Sequence, residues 1–163
     1  MRTRAARLYV SPRTRPLNAE EQETRRLAYA LKTAEPAAVK TAALDMARII
    51  DGPCWLVPIP TSAGTIAPNL ALALEIAKHV PGARVAPHLH RPKPVPSSCE
   101  RHRKAQGPIA VEAHGFTRRG PMLTARPLYF VDNVTTSGNT LEAARRAFGF
   151  GEGLVFADAS GSA

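Results

Sequence analysis

The sequence predicts an α/β fold built on a mainly parallel sheet, and three observations carry that prediction. Short continuous apolar runs, as in "CWLVPIP", "PLYFVDNV" and "GLVFADAS", are the pattern of strands covered on both faces. Segments with helical spacing, as in "NLALALEIAKHV" and "NTLEAARRAFGFG", alternate with those runs. Strand alternating with helix implies parallel pairing through crossovers. At 163 residues and 44% apolar content, the chain fits one domain with a real core.

The elements follow in order. Asn18 and Glu21 have the spacing of a capping box, which predicts a helix to about Lys32. A second helix, opened by Pro36, carries Val39, Ala43, Met46 and Ile50 at helical spacing and stops at Asp51, Gly52 and Pro53. Residues 54–60 form the first strand of the core. The loop "TSAGTIAPN" leads to a helix with Leu70, Ala73, Leu74 and Ala77 on one face, then to the strand "ARVAPHL". Residues 91–126 are a long irregular insert rich in Pro, Arg, Lys and His. The strand "PLYFVDNV" follows, then a helix with Leu141, Ala144 and Phe148 inward, ended by Gly149 or Gly151, and the strand "GLVFADAS". Residues 1–163 thus make a single domain, with 1–50 as a helical segment at one side and 54–160 as the core. Ligands of such sheets sit at the carboxyl ends of the strands.

The net charge is +9, which draws polyanions. Nucleic acid on a basic surface and a phosphate-rich small molecule are both open on that ground. No helix-turn-helix, zinc-finger or aromatic RNA-binding signature is present. No apolar run reaches membrane length, and no apolar signal core follows the basic N-terminus, so a cytoplasmic location and no membrane partner are expected. Cys54 sits in an apolar run and reads as a small core residue; Cys99 lies in a polar loop. His88 and His90 alternate as a strand pair would, but no Cys or carboxylate lies near them in sequence, so surface or hood histidines are expected.

The stretch "LYFVDNVTTSGNTL" is the most informative. A buried strand ends in Asp132 and Asn133. Thr135, Thr136, Ser137, Gly138, Asn139 and Thr140 follow at once. A carboxylate can accept from sugar hydroxyls. A glycine-bearing loop at a helix N-terminus offers unpaired N–H groups to a phosphate. No Lys follows the glycine, which disfavours a nucleotide P-loop.

This stretch resembles the phosphoribosyl-pyrophosphate (PRPP) motif of type I phosphoribosyltransferases, in which four apolar residues lead to two acids, two apolar residues and a T-T-G-x-T loop. Asp132, Gly138 and Thr140 match without a gap. Asn133 stands where the second acid is usual, and Thr135 replaces an aliphatic residue. The strand ending Pro58-Ile59-Pro60 and the later Asn69 resemble the ComF-type competence-protein branch of that family, as does "PSSCERHRKAQGPIAVEAHGFT". The resemblance implies a phosphoribosyltransferase fold with a small hood made by the N-terminal segment and the long loop. It implies that Asp132 and Asn133 face the ribose, with Mg²⁺ reaching Asp132 through Mg-PRPP, and that the 136–140 loop holds the 5′-phosphate. It further implies that Thr61, Ser62, Ala63 and Gly64 meet the pyrophosphate, while a mobile loop brings Arg101, Arg103 and Lys104 to the leaving group. The implied activity is transfer of phosphoribosyl to a nucleobase or amine with release of pyrophosphate. A non-catalytic PRPP or nucleotide binder, or a ComF-like factor in DNA uptake, is the alternative. The acceptor is not named by the sequence, and a homodimer is left open.

Overall fold

The computed structural model describes residues 2–13, 15–97, 100–101 and 104–160. The elements run β1 (Thr3–Leu8), α1 (Ala19–Ala30), α2 (Pro36–Ala47), β2 (Trp55–Pro58), α3 (Ala67–His79), β3 (Arg84–Val85), β4 (Leu89–His90), β5 (Thr117–Arg118), β6 (Leu128–Thr135), α4 (Asn139–Phe148) and β7 (Glu152–Asp158). Five strands form one sheet in the order β1-β7-β6-β2-β3, and every neighbouring pair is parallel. The protein is therefore α/β, with a parallel five-strand sheet flanked by helices. β4, just before the long insert, and β5, within it, form a separate antiparallel pair.

Burial on both faces explains why the strands lack polar alternation. Leu56, Tyr129, Val131, Leu154 and Phe156 pack beneath α1, α2 and α3. Val57, Leu128, Phe130 and Val155 pack on the other face with Leu141, Ala144 and Phe148 of α4. Phe130 and Phe156 are fully buried, and each such side chain contributes about 1.5–3 kcal/mol by leaving water. Cys54 is a buried core residue, and burial pushes its thiol up to about 11. Cys99 lies outside the described residues.

The expected capping box is present: Asn18 Oδ1 accepts from the Glu21 amide at 2.9 Å and Glu21 accepts from the Asn18 amide at 2.9 Å. Gly149 ends α4 in the left-handed region, its amide bonded to the Arg145 carbonyl. Three expectations are corrected. The second helix stops at Ala47, and Ile50 packs against the core from the turn beyond it. The inward face of α3 is Asn69, Leu72, Ala73 and Ile76, and Leu74 is exposed. The N-terminal segment is not a hood: it supplies the edge strand β1, and Leu27, Ala28, Leu31, Ala38, Val39, Ala42, Ala43 and Met46 lie in the main core. Arginines fasten that strand. Arg4 bonds Glu152, Asp51 and the Ile49 carbonyl, and Arg7 bonds Asp45 at 2.8 Å.

The connections place a crevice. From β2 the chain passes through α3 to β3, and from β6 it passes through α4 to β7, in the opposite direction along the sheet. α3 and α4 consequently lie on opposite faces, and the carboxyl ends of the adjacent strands β2 and β6 form the switch point where such sheets bind ligands.

Gly153, near the start of β7, lets Leu141 of α4 pack close against the sheet. A Cβ there would come within 2.8 Å of Leu141 Cδ1 and 3.0 Å of Thr3 Oγ1. Gly153→Ala is expected to destabilise the fold by roughly 1–3 kcal/mol through overpacking, measured by urea unfolding. Unchanged stability would show that α4 can lift freely from the sheet.

Candidate functional site at the switch between two strands

Asp132 lies near the end of β6, partly buried. Its Oδ1 accepts from the Asn133 amide at 2.8 Å and from Asn69 Nδ2 at 3.0 Å. Asn69 comes from α3, is 4% exposed, and also donates from Nδ2 to the Ile59 carbonyl at 2.8 Å. One amide thus ties the ends of β2 and β6 together. Among the described residues nothing donates to Asp132 Oδ2, which leaves that oxygen for a ligand. Burial is the main influence on the carboxyl and pushes it up to about 6. The Asn133 amide, Asn69 and the Arg91 charge act the other way. Asn133 Oδ1 accepts from the Val134 amide at 2.8 Å. Thr135 is buried and its carbonyl accepts from the Ala159 amide, so it belongs to the strand ladder rather than to the loop.

Thr136 and Ser137 are exposed, and Gly138, Asn139 and Thr140 are half-buried. Gly138 is the N-cap of α4 at φ 74°, and a Cβ there would meet nothing within 4 Å. The left-handed conformation suits glycine, so a larger residue would be strained there although the space beside it is open. Ser137 Oγ accepts from the Asn139 amide at 3.4 Å, and Asn139 Nδ2 donates to the Ile109 carbonyl at 2.8 Å, which ties the insert to this loop. Among the described residues nothing accepts from the amides of Ser137, Gly138 and Thr140.

The β2–α3 loop faces the same crevice. The Thr61 amide donates to the Thr65 carbonyl and the Gly64 amide to the Thr61 carbonyl, so neither is spare. The amides of Ser62 and Ala63 have no acceptor among the described residues. The strap after β4 lies against this loop: the Val95 amide donates to the Ser62 carbonyl at 2.9 Å.

Of the expected loop cations, Arg101 and Lys104 are among the described residues. Arg101 Nε donates to the Gly107 carbonyl at 2.6 Å, and Lys104 is exposed. No hydrogen bond or ion pair joins either one to Asp132 or to the 136–140 loop. Ser97 and Glu100 bond each other's amides: the Ser97 amide donates to Glu100 Oε2 at 2.7 Å and the Glu100 amide to Ser97 Oγ at 3.2 Å. Arg103 and His102 lie outside the described residues. Among the described residues no group of three His, Cys, Asp or Glu could hold a metal by itself.

Sequence reasoning missed Arg91. It is 4% exposed, immediately after β4. Its Nη1 donates to the His114 carbonyl at 3.1 Å and its Nη2 lies 3.2 Å from His114 Nδ1. Arginine only donates, so Nδ1 accepts and the ring proton is on Nε2. Burial first, then the Arg91 charge, holds the His114 pKa down at about 4, so the ring is neutral. The guanidinium also lies 4.2 Å from the Phe116 ring centroid.

Two surface depressions, of about 280 and 340 Å³, lie elsewhere. The first is lined by Leu17, Gln22, Arg25, Arg26 and Tyr29, the second by residues at the opposite edge of the sheet, including Asp51 and Glu152. Neither includes Asp132 or its loops, and the switch point has the stronger claim because free donors and an acid converge there. No helix among the described residues is long and apolar enough to cross a membrane. No protein-family model matches the chain, and no curated protein matches it.

Asp132 makes a stability test possible. Its folded value of about 6 lies above the ordinary 3.8, so the fold prefers the protonated form. This group therefore adds stability below about pH 4 relative to neutral pH, and that advantage is lost as pH rises through 6. Asp132→Asn keeps the acceptor and removes the charge. It is expected to raise stability by roughly 1–3 kcal/mol at pH 8 and by little at pH 3.5. A loss of stability at pH 8, seen in thermal melts, would contradict this account of the carboxyl.

Proposed function

We propose that the chain is a type I phosphoribosyltransferase-like protein that binds PRPP with Mg²⁺ at the β2–β6 switch point. The observation that carries this is the joint placement of Asp132, with its unpartnered Oδ2, and the 136–140 loop, with its open left-handed glycine and spare amides. In this reading Asp132 and Asn133 hold the ribose hydroxyls and the loop holds the 5′-phosphate. The amides of Ser62 and Ala63 take the pyrophosphate. Mg²⁺ suits a site with one carboxylate and no protein cage, since it is commonly held by one or two carboxylates together with substrate phosphates. Asp132 would be its protein ligand.

The proposed reaction breaks the bond between the ribose anomeric carbon and pyrophosphate and forms one to a nitrogen of a nucleobase or amine, which gives up its proton. No protein nucleophile is required. The protein positions the partners and stabilises the departing anion. The experiment is a screen of nucleobases and ammonia with PRPP and Mg²⁺, following pyrophosphate release. Gly138→Val is expected to abolish PRPP binding in calorimetry while the protein stays folded by circular dichroism. Undiminished affinity in that variant would remove the phosphate-loop assignment.

Asn133 favours a second reading, a PRPP or nucleotide binder without turnover. A neutral amide gives up the negative charge that the second acid of the motif brings to Mg²⁺ and ribose. Asn133→Asp keeps an acceptor for the Val134 amide and adds that charge. It is expected to tighten Mg-PRPP binding by up to about tenfold, the equivalent of about 1.4 kcal/mol. Turnover that rises with affinity supports a slow transferase. Tighter binding with no acceptor consumed supports the binder. Weaker binding would show that the two carboxylates repel and that the ribose contact is drawn wrongly.

A further inference from the structure

The outer face of α1 carries a charge that the described residues leave unbalanced. Arg25 is half-buried, and its hydrogen-bonding neighbours are the phenols of Tyr29 and Tyr9. Burial is the largest influence on Tyr9 and pushes its phenol up, so that neighbour is neutral. The acids of the same helix are engaged by other arginines. Glu23 bonds Arg26 through both oxygens, and Glu21 bonds Arg15 and caps the helix. No acid is among the groups that act on Arg25. Its Nε is buried with no acceptor among the described residues. A surface arginine ordinarily takes water at each donor, so a buried donor left unpaired is a cost. A lysine would keep the charge beside Tyr29 without that cost.

The same arginine lines the depression of about 280 Å³, together with Leu17, Gln22, Arg26 and Tyr29. Leu17 and the Tyr29 ring give it apolar walls, and Tyr29 is 48% exposed. The Arg25 guanidinium lies 5.6 Å from the Tyr29 ring centroid and Lys32 Nζ lies 4.9 Å from it, so two cations attend one half-exposed ring. Gln22 Nε2 donates to the Leu17 carbonyl at 3.0 Å, which holds the segment before α1 against the helix. The volume is close to the lower end of the range for small-molecule pockets, which suits one ring system rather than a whole nucleotide. We propose that this depression is a binding site for a small organic anion with a flat apolar body, an aromatic carboxylate in class. The ring of such a ligand covers Tyr29 and Leu17, and its carboxylate balances Arg25, with Arg26 at the rim. A bare anion would leave the apolar walls wet, and a neutral ring would leave Arg25 unbalanced. The site shares no residue with the switch point and does not depend on PRPP binding there.

The test follows amide chemical shifts of the isotope-labelled full chain by NMR at constant ionic strength. The probes are sodium naphthalene-2-carboxylate, its neutral analogue naphthalene-2-carboxamide, and sodium acetate. The aromatic carboxylate is expected to give saturable shifts at residues 17, 22, 25, 26 and 29. The amide and acetate are each expected to bind about tenfold more weakly, the one lacking the charge and the other the ring. Arg25→Gln is expected to weaken the aromatic carboxylate about tenfold, as the loss of a charge-assisted hydrogen bond implies. Arg25→Lys restores part of that affinity, because it returns the charge without the planar fork. Tyr29→Ala also weakens it. Absence of saturable shifts at the α1 residues overturns the proposal, as do saturable shifts at residues 132–140 in their place. Equal affinity for acetate overturns it, since it marks a general attraction to a basic surface. Equal affinity for the amide overturns it, since the charge then plays no part. Unchanged affinity in a folded Arg25→Gln protein does the same, and if that variant does not fold, unchanged affinity in Tyr29→Ala does so.

Discussion

The hydrogen bonds of one amide, Asn69, organise the carboxyl edge of the sheet. Its Nδ2 donates to the Ile59 carbonyl beyond β2 and to Asp132 Oδ1 on β6. The two strands lead their chains in opposite directions, so their ends would otherwise part at this point. A buried amide must satisfy its donors, and at this depth a lost partner costs about 1–3 kcal/mol. That requirement fixes the rotation of α3, orients the Asp132 carboxyl and leaves its second oxygen without a donor among the described residues. The loops after β2 and β6 are then held side by side by a polar contact, not by apolar packing alone.

The same constraint accounts for what was legible in the sequence and what was not. The unbroken apolar runs at 55–58, 128–131 and 154–157 announce strands covered on both faces, and the structure covers them so. The helix "NLALALEIAKHV" was harder, because its leucines alternate and more than one face is apolar. Asn69 must reach β6, so the buried set becomes Asn69, Leu72, Ala73 and Ile76, which have the spacing i, i+3, i+4 and i+7 of one helical face. Local hydrophobicity could not show this, since the deciding residue is polar. Arg91 was invisible for a related reason. An arginine in a proline-rich insert resembles a solvated surface charge, and only the fold of the insert over His114 and Phe116 buries it. The glycine-bearing loop was legible because its chemistry is local, one glycine with hydroxyl neighbours at the start of a helix.

The basic N-terminus illustrates the limit of charge as a guide to partners. The basic residues of "RTRAAR" contribute to the net charge, yet Arg4 and Arg7 are occupied within the fold, bonded to Asp51, Glu152 and Asp45 and lying over the rings of Tyr129 and Phe156. An edge strand poor in large apolar residues is fastened to the sheet by cations instead. Part of the net charge of +9 is therefore structural. At the switch point the Arg91 charge acts on Asp132, against the effect of burial on that carboxyl.

The central claim is that a sugar phosphate carrying a diphosphate seats at the β2–β6 switch. Amide chemical shifts of the isotope-labelled protein, followed by NMR during titration with Mg-PRPP, test it most directly. The account predicts saturable shifts concentrated at residues 61–64, at 132–134 and at 136–140, with β1 and the surface arginines of α1 unmoved. Shifts spread over the basic surface and lost with added salt, with the switch-point amides silent, would contradict it.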